Sequence, residues 1–289
     1  MPSLLDLRRR IRSVKNTQQI TRAMKIVSAA RLRRAQDRVT ASRPYSRGFR
    51  EVLEQIAAAL SGVDTTQFQH PLLEQREERR VLAFVISSDR GLCGAYNANI
   101  LKQAKRFVDE KAEAGVEVQL HTVGRKADEF FRKRKYAVQD SNIQFLNRMV
   151  YDDVAAMAHR VSKLFEEETF DGVYLLFTEF RTAASQTVVA RKLLPVALPT
   201  EGEPPDFLFD QPAEKILGSM LGQYVVLSLY QALLEANASE HGARMTAMDA
   251  ATSNANEMIQ KLAMRLNRVR QASITTEIIE VVSGANAFD

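Results

Sequence analysis

A stripe of residues, spaced alternately three and four apart, constrains the fold of this chain more than any other sequence feature. It runs from Leu217 to Val269, and no proline follows Pro212. A repeat of 3.5 residues keeps one narrow face of a helix against a partner helix. At about 1.5 Å per residue the helix is on the order of 100 Å long and should project from a globular domain. The members of this C-terminal stripe are Leu217, Met220, Tyr224, Leu227, Gln231, Leu234, Ala238, His241, Met245, Met248, Thr252, Ala255, Ile259, Leu262, Leu266 and Val269.

A second long helix is predicted for residues 3 to about 60, with Ser3 as its N-cap. Pro44 should mark a kink or an interruption of this helix. The simplest assembly pairs the two helices as an antiparallel coiled coil. Polar and small members of the C-terminal stripe would leave such a coil marginal alone, so we expect other protein to surround it. The apolar positions expected to face the partner are Leu4, Leu7, Ile11 and Val14 and, after a polar break, Ile20, Met24 and Val27.

The centre of the chain alternates strand and helix patterns. The pattern predicts a Rossmann-like α/β domain with a mostly parallel sheet, the last two strands forming a hairpin. The predicted strands are Val81–Ile86, Val116–Val123, Gly172–Phe180 and Gln186–Pro195, and the predicted helices are Ala95–Ala114, Lys126–Arg134 and Tyr151–Glu168. The expected divisions are an N-terminal helix at 1–60, a linker at 61–77, the α/β domain at 78–200, a proline-rich linker at 201–212 and a C-terminal helix at 213–289.

The positive charge of the chain is local. The net charge is +5, yet residues 1–50 hold fourteen Arg or Lys against Asp6 and Asp37. The residues predicted to form a basic face on this helix are Arg8, Arg9, Arg12, Arg31, Arg33 and Arg34. Such a face could bind nucleic acid, although aromatic residues are missing before Tyr45, or it could bind an acidic protein surface. Composition alone leaves both alternatives open.

One loop stands where phosphate-binding loops occur, between a buried strand and a helix. Its residues include Asp89, Arg90, Gly91, Cys93 and Gly94. The loop lacks the spacing of a dinucleotide fingerprint and the Lys-Ser/Thr of a P-loop, so the pattern favours a tight structural turn. Cys93 has no histidine in a shared motif, which favours a bystander over a nucleophile. The four histidines are scattered, without ligand spacing, so we predict neither a metal site nor a catalytic centre.

Targeting signals are not evident in the sequence. No run of 18 consecutive apolar residues occurs, which predicts no membrane span. The first residues lack the pattern of a signal peptide and soon become arginine-rich. A lone cysteine suits a reducing cytoplasm.

Four blocks resemble the gamma subunit of bacterial F-type ATP synthases, in the right order along the chain. They are Ile20–Gln36 (ITRAMKIVSAARLRRAQ), Ser88–Asn97 (SDRGLCGAYN), Arg244–Ala255 (RMTAMDAATSNA) and Arg270–Ala285 (RQASITTEIIEVVSGA). The chloroplast form of this family carries an inserted two-cysteine loop. Such an insert is missing between Ile143 and Arg181, so thiol regulation is not expected and a bacterial origin is favoured over a processed organellar one.

The resemblance implies a non-catalytic rotor in the central stalk of the synthase. Its terminal helices would turn inside the hexamer of alpha and beta subunits, and its α/β domain would contact the epsilon subunit and the c ring. Proton or sodium flow would drive the rotation. The resemblance implies no cofactor, no substrate of its own and no nucleic acid. It places the complex at the cytoplasmic face of the plasma membrane, with this chain as a peripheral member.

The resemblance also assigns contact residues. Met24 and Lys25 would face an acidic lever loop of the beta subunit, with Arg270, Gln271, Thr275 and Glu277 opposite that region on the other helix. Polar contacts of about 0.5–3 kcal/mol each suit a grip that must break at every step. Val281 to Phe288 would turn in an apolar sleeve. The foot, near the c ring and epsilon, would include Phe207, Leu208 and Phe209.

Overall fold

The computed structural model describes residues 4–61, 70–183, 185–197 and 210–285. Long helices begin and end the described chain, and strands alternate with shorter helices between them. In chain order the elements are α1 (Leu4–Ser61), a 3-10 turn (Pro71–Leu73), β1 (Arg80–Ile86), α2 (Tyr96–Glu113), β2 (Glu117–Val123), α3 (Arg125–Lys133), β3 (Val138–Asn142), α4 (Tyr151–Glu166), β4 (Gly172–Phe180), β5 (Gln186–Leu194) and α5 (Ala213–Ala285).

The strands form one mixed sheet in the order β3-β2-β1-β4-β5. β1 lies parallel to β2 and to β4, and β2 lies parallel to β3. β5 returns antiparallel to β4, which confirms the predicted hairpin. The Rossmann-like α/β class is therefore confirmed. The sequence-based prediction missed β3, because Val138–Asn142 is short and mostly polar and shows no alternation of apolar and polar residues.

The chain divides into two compact units whose boundaries fall inside the long helices. Met1–Ser28 and Arg244–Asp289 form one unit, which we call the coil unit. Ala29–Ala243 forms the other, which we call the base unit. The sequence-based division instead placed the boundaries at the helix ends. The difference arises because α1 and α5 each supply residues to both units, so their inner parts belong with the sheet.

The core of the base unit lies on both faces of β1, whose residues after Arg80 are all buried. Val81, Ala83 and Val85 belong to a cluster with side chains of α2 and α3, including Ile100 and Phe131. The alternate residues of β1 point to the opposite face, because successive side chains of a strand alternate. There Phe84 stacks on His121 of β2, with ring centroids 4.4 Å apart. A strand covered on both faces explains the continuous apolar run in the sequence.

Hydrogen bonds fix the inner part of α5 within the base unit on several sides. The Tyr96 hydroxyl donates to the Ala236 carbonyl at 3.2 Å, and the Ser239 hydroxyl donates to the Thr178 carbonyl at 3.0 Å. The Asn237 amide donates to the Leu146 carbonyl at 2.6 Å. Between Val225 and His241 most residues of α5 are therefore buried, and not only those of the C-terminal stripe. The chain itself supplies the surrounding protein there.

Within the coil unit, α1 and α5 pair as the antiparallel coiled coil that the sequence predicts. Hydrogen bonds join Thr21 to Thr252 and Lys25 to Asp249, so residue numbers fall on one helix as they rise on the other. Every position of the C-terminal stripe from Met245 to Val269 is buried or half-buried. In the base unit the same antiparallel order continues, with the Ser42 hydroxyl donating to Gln231 Oε1 at 2.9 Å.

Two expectations for α1 are wrong. Ile20 and Val27 do not face the partner helix, because their side chains are 61% and 52% exposed. The stripe of α1 instead keeps its spacing through polar residues after Val14, of which Thr21 and Ser28 donate hydrogen bonds to carbonyls of α1 itself. Its members in the coil unit are Leu4, Leu7, Ile11, Val14, Gln18, Thr21, Lys25 and Ser28, all buried or half-buried. Of the two outcomes expected at Pro44, the structure excludes an interruption, because the helix is continuous from Leu4 to Ser61.

One helix in the described part of the chain is long and apolar enough to cross a membrane. It is the part of α5 from Lys215 to Ser283, and 44% of its most apolar 18-residue stretch is buried. This is weak evidence for a membrane span, because a helix in a protein core meets the same criterion.

A charged cluster stabilises the start of the sheet in the base unit. Glu78 accepts a hydrogen bond from the Tyr174 hydroxyl at 2.6 Å and pairs with Lys192 at 2.7 Å. Lys111 completes the cluster by pairing with the other carboxylate oxygen. Burial alone would raise the pKa of Glu78, but the hydrogen bonds from Lys111, Lys192 and Tyr174 outweigh it and lower the pKa to about 2. Burial and the bond to Glu78 raise the pKa of Tyr174.

We expect Glu78→Gln to lower the free energy of unfolding by roughly 1–3 kcal/mol at pH 7. The pKa of Glu78 in the folded state lies below its ordinary value of 4.5. Its contribution is therefore complete above that value and is lost as pH falls towards 2. Urea unfolding followed by circular dichroism should show the difference between the two proteins shrinking in that range. Glu77→Gln is the matched control, because the Glu77 side chain is 80% exposed and pairs with exposed Arg79. Equal losses in both variants would contradict the prediction.

Candidate functional site

The part of the coil unit around Lys25 holds its two helices together through polar contacts. Lys25 Nζ lies 2.6 Å from Asp249 Oδ1, with the two side chains 41% and 60% exposed. One helical turn away, the Thr252 hydroxyl donates to the Thr21 hydroxyl oxygen at 2.8 Å. Both pairs join α1 to α5. Hydroxyl bonds and an exposed ion pair hold less tightly than an apolar layer, since each exchanges readily with water.

Met24 lies next to Lys25 and is half-buried. Its carbonyl accepts a hydrogen bond from the Ser28 hydroxyl at 2.8 Å, one turn along α1. Ile20, one turn before Met24, is exposed. At this level the outer face of α1 therefore presents the apolar side chains of Ile20 and Met24 beside Lys25, whose positive charge is paired with Asp249.

The expectation that Arg270, Gln271, Thr275 and Glu277 stand opposite Met24 and Lys25 is wrong. The residue across the coil from Lys25 is Asp249, and Arg270 follows it by roughly 30 Å along the helix at 1.5 Å per residue. The observed register, extended by the stripe spacing, sets Leu4 opposite Val269. The four residues come after that level and are exposed, with the Thr275 hydroxyl donating to the Gln271 carbonyl at 3.0 Å. The structure thus separates Met24 and Lys25 from the four residues of α5, which the sequence-based prediction had placed at one level.

The six arginines of the predicted basic face are all exposed. Arg8, Arg9 and Arg12 belong to the coil unit, and Arg31, Arg33 and Arg34 belong to the base unit. Within the described residues none of them forms an ion pair. Their charge is therefore available to a partner at the surface.

The last turns of α5 expose apolar side chains. Ile274, Ile278 and Val281 are 47%, 58% and 72% exposed. Contiguous exposed apolar groups at a helix end mark a surface that another protein covers. Phe288, the last residue of the proposed sleeve segment, lies outside the described residues, as do Phe207, Leu208 and Phe209 of the proposed foot.

Asp89 ties the loop after β1 to the neighbouring strand ends in the base unit. Its Oδ1 accepts hydrogen bonds from the Arg125 amide at 3.0 Å and the Gln144 amide at 2.9 Å. Arg125 is the first residue of α3, so a carboxylate of the chain already occupies that helix N-terminus. A helix N-terminus is where a phosphate would bind. Asp89 thus anchors the loop after β1 to the start of α3.

Cys93 and its neighbours are part of the same turn. Cys93 is buried, and Asn97 Nδ2 lies 3.1 Å from its sulfur. The Ser88 hydroxyl donates to the Arg90 carbonyl at 2.6 Å, while Asn97 Nδ2 donates to the Ser88 hydroxyl oxygen at 2.8 Å. Gly94 has a φ of 56°, a left-handed conformation that glycine adopts without strain. Gly91, between these residues, leaves open space where a side chain would lie.

Comparison with known proteins decides what this arrangement belongs to. A family model described as ATP synthase matches residues 3–288. The ATP synthase gamma chain of Solibacter usitatus is 53% identical over 289 residues, and the alignment covers 100% of both chains. The chain belongs to the ATP synthase gamma-chain family.

Solved structures from two organisms have a similar fold. A chain in the central stalk and c ring of Tetrahymena thermophila mitochondrial ATP synthase is 25% identical with a TM-score of 0.58, covering 80% of this chain and 99% of that one. A chain of the Euglena gracilis mitochondrial enzyme, in rotational state 3, has a TM-score of 0.70 at 20% identity, covering 99% and 94%. At the latter identity the likeness concerns the fold.

Sequence reasoning missed two residues that join the helices of this gamma chain, Thr21 and Asp249. The signal that could have found Thr21 is the unbroken spacing of α1, which runs through Gln18, Thr21, Lys25 and Ser28 if polar residues are allowed. A search for apolar residues shifted the phase to Ile20 and Val27 instead. Among the described residues, no group of three His, Cys, Asp or Glu is arranged to hold a metal ion.

We expect Gly124→Ala to destabilise the gamma chain by about 1–3 kcal/mol or more, because Gly124 has a φ of 94° and an added Cβ would lie 2.3 Å from the Ser87 carbonyl oxygen. Thermal unfolding followed by circular dichroism measures the loss. Gly91→Ala is the control in the same region, since nothing lies within 4 Å of the Cβ that this position would gain. Both variants melting together with the wild-type chain would show that the close contact at Gly124 costs nothing.

Proposed function

We propose that this gamma chain is the rotor of an ATP synthase central stalk and carries out no bond chemistry itself. The observation that carries the proposal is the coil unit. Its two helices are held together by exchangeable polar contacts, while its outer surface exposes arginines and, towards the end of α5, apolar side chains. A shaft that neighbouring subunits grip and release in turn needs such a surface. Family membership and the central-stalk likeness support the same reading.

Coupling by such a shaft is a matter of differential contact. A protein shifts the conformation of a partner only as far as its contact free energy differs between the partner's states. An asymmetric coil in contact with three beta subunits would present a different face to each, and a turn of the coil would exchange those faces. ATP would then be made or hydrolysed in the surrounding subunits, with the c ring, driven by protons or sodium ions, turning the base unit.

The contacts of this chain are assigned from its resemblance to the family. Met24 and Lys25 would face an acidic loop of the beta subunit, and the separate group at Arg270, Gln271, Thr275 and Glu277 would contact the hexamer farther along α5. The exposed apolar end of α5 would turn in an apolar sleeve, where few directional bonds resist rotation. Epsilon and the c ring would contact the base unit. The complex would lie at the cytoplasmic face of the bacterial plasma membrane.

Reconstitution tests the rotor function. Adding this chain to purified alpha and beta subunits of the same organism should restore steady ATP hydrolysis, saturating at one chain per three alpha–beta pairs. The alternative is a basic coiled-coil scaffold for nucleic acid, which the exposed arginines could also serve. The rotor proposal is refuted if hydrolysis is unchanged while the chain shifts duplex DNA at physiological salt.

We expect Met24→Lys to impair coupling more than hydrolysis. The new ammonium group would strengthen the contact with an acidic loop, because a close charge pair adds to the grip that each step must break. ATP-driven ion pumping and ATP hydrolysis, measured on the same membranes, should show the larger loss in pumping. Ile20→Lys is the matched control, since it adds the same charge one turn away at an exposed position. Equal losses of both activities in Met24→Lys would contradict the assignment.

A further inference from the structure

Lys25 is the basic member of the α1 stripe in the coil unit, and its charge is already paired. The ammonium lies 2.6 Å from Asp249 Oδ1 across the coil. Its position in the stripe directs the side chain along the seam between the helices, while its end reaches the surface beside Asp249. The exposed arginines of the same helix have no such partner among the described residues. Lys25 is therefore held by α5 in a way that its basic neighbours are not.

The ion pair between Lys25 and Asp249 can break at little cost in free energy. Both side chains are more than a third exposed, and an exposed ion pair gains little over hydration of the separated charges. The lysine stem is long and flexible, so its ammonium can turn to another acceptor without moving the backbone. The neighbouring layer is the hydroxyl pair of Thr21 and Thr252, which imposes no apolar seal around the charges.

Asp249 also changes what an approaching partner meets. With Asp249 present, the lysine and the aspartate sum to no net charge. Without it, the same surface next to Met24 carries a free ammonium group. A carboxylate on a surrounding subunit is repelled by the first carboxylate it meets and attracted by an uncovered lysine. One acidic side chain on α5 thus sets how strongly α1 attracts acidic partners at this level.

We propose that Asp249 is a positioning residue that holds the Lys25 ammonium away from carboxylates of the surrounding subunits, which keeps the grip on the coil at Met24 weak enough to release at each step. This rests on the proposed rotor function. Asp249 acts through Lys25 and makes no contact of its own with a reacting group. The specific consequence is that removing the aspartate matters only while the lysine is present.

The test uses the complete synthase with substitutions in this chain. Asp249→Asn removes the charge and keeps the size of the side chain. We expect steady ATP hydrolysis to slow about two- to fivefold at low salt, the range that corresponds to one exposed ion pair, and to recover as salt screens the new contact. Asp249→Glu keeps the charge and should stay near the wild-type rate. Glu257→Gln is the matched control, an exposed carboxylate on the same helix, and should not slow hydrolysis.

The decisive measurement combines two substitutions. Lys25→Gln removes the ammonium that Asp249 holds. Adding it to Asp249→Asn should therefore raise hydrolysis above the rate of Asp249→Asn alone, towards the rate of the Lys25→Gln single variant. A purely structural ion pair predicts the opposite pattern, in which either single substitution slows hydrolysis equally and the double variant is no faster. That pattern, or an Asp249→Asn complex that hydrolyses ATP like the wild type, overturns the proposal. A wild-type chain that supports no hydrolysis overturns the rotor function itself.

Discussion

The antiparallel register between α1 and α5 is the constraint on which the rest of the structure depends. Two cross-helix bonds in the coil unit and one in the base unit follow the same order, with residue numbers rising on α1 as they fall on α5. Within the coil unit a repeat of 3.5 residues on both helices keeps each stripe position facing the partner helix. The register also decides which surface residues share a level, and therefore which of them one partner could touch together.

The burial of α5 differs between the two units. In the base unit α5 is buried around much of its circumference, and its Ala236 carbonyl and Ser239 hydroxyl bond to groups of the sheet domain. In the coil unit the same helix is buried mainly along its stripe, and Thr252 of α5 and Lys25 of α1 place polar groups in the seam. A coil of this kind gains little from apolar burial. Its polar seam suits a rod that works inside other protein, which is consistent with membership of the gamma-chain family.

Electrostatics separates the structural charges of this chain from the functional ones. Glu78 is shielded and shared among Lys111, Lys192 and Tyr174, and its lowered pKa records how strongly the fold favours the ionised form. Asp89 likewise stabilises the fold by accepting hydrogen bonds from two backbone amides. The side chains of Lys25 and Asp249 are more than a third exposed, so their ion pair contributes little free energy. The half-buried charges of Glu78 and Asp89 stabilise the base unit, whereas the more exposed pair of Lys25 and Asp249 can respond to a partner.

The sequence by itself determined the class of the fold, the two long helices, the parallel strands with their hairpin and the family, because periodicity and the four motif blocks are local properties of the chain. It missed β3, whose polar residues carry no alternation, and it assigned the phase of α1 from apolar residues alone, which placed Ile20 and Val27 inside. Only the tertiary structure decided that Gln18, Thr21, Lys25 and Ser28 fill the stripe, that Lys25 meets Asp249, and that Arg270 lies far from both. The physical reason is that register depends on contacts between segments more than two hundred residues apart, which no local pattern records.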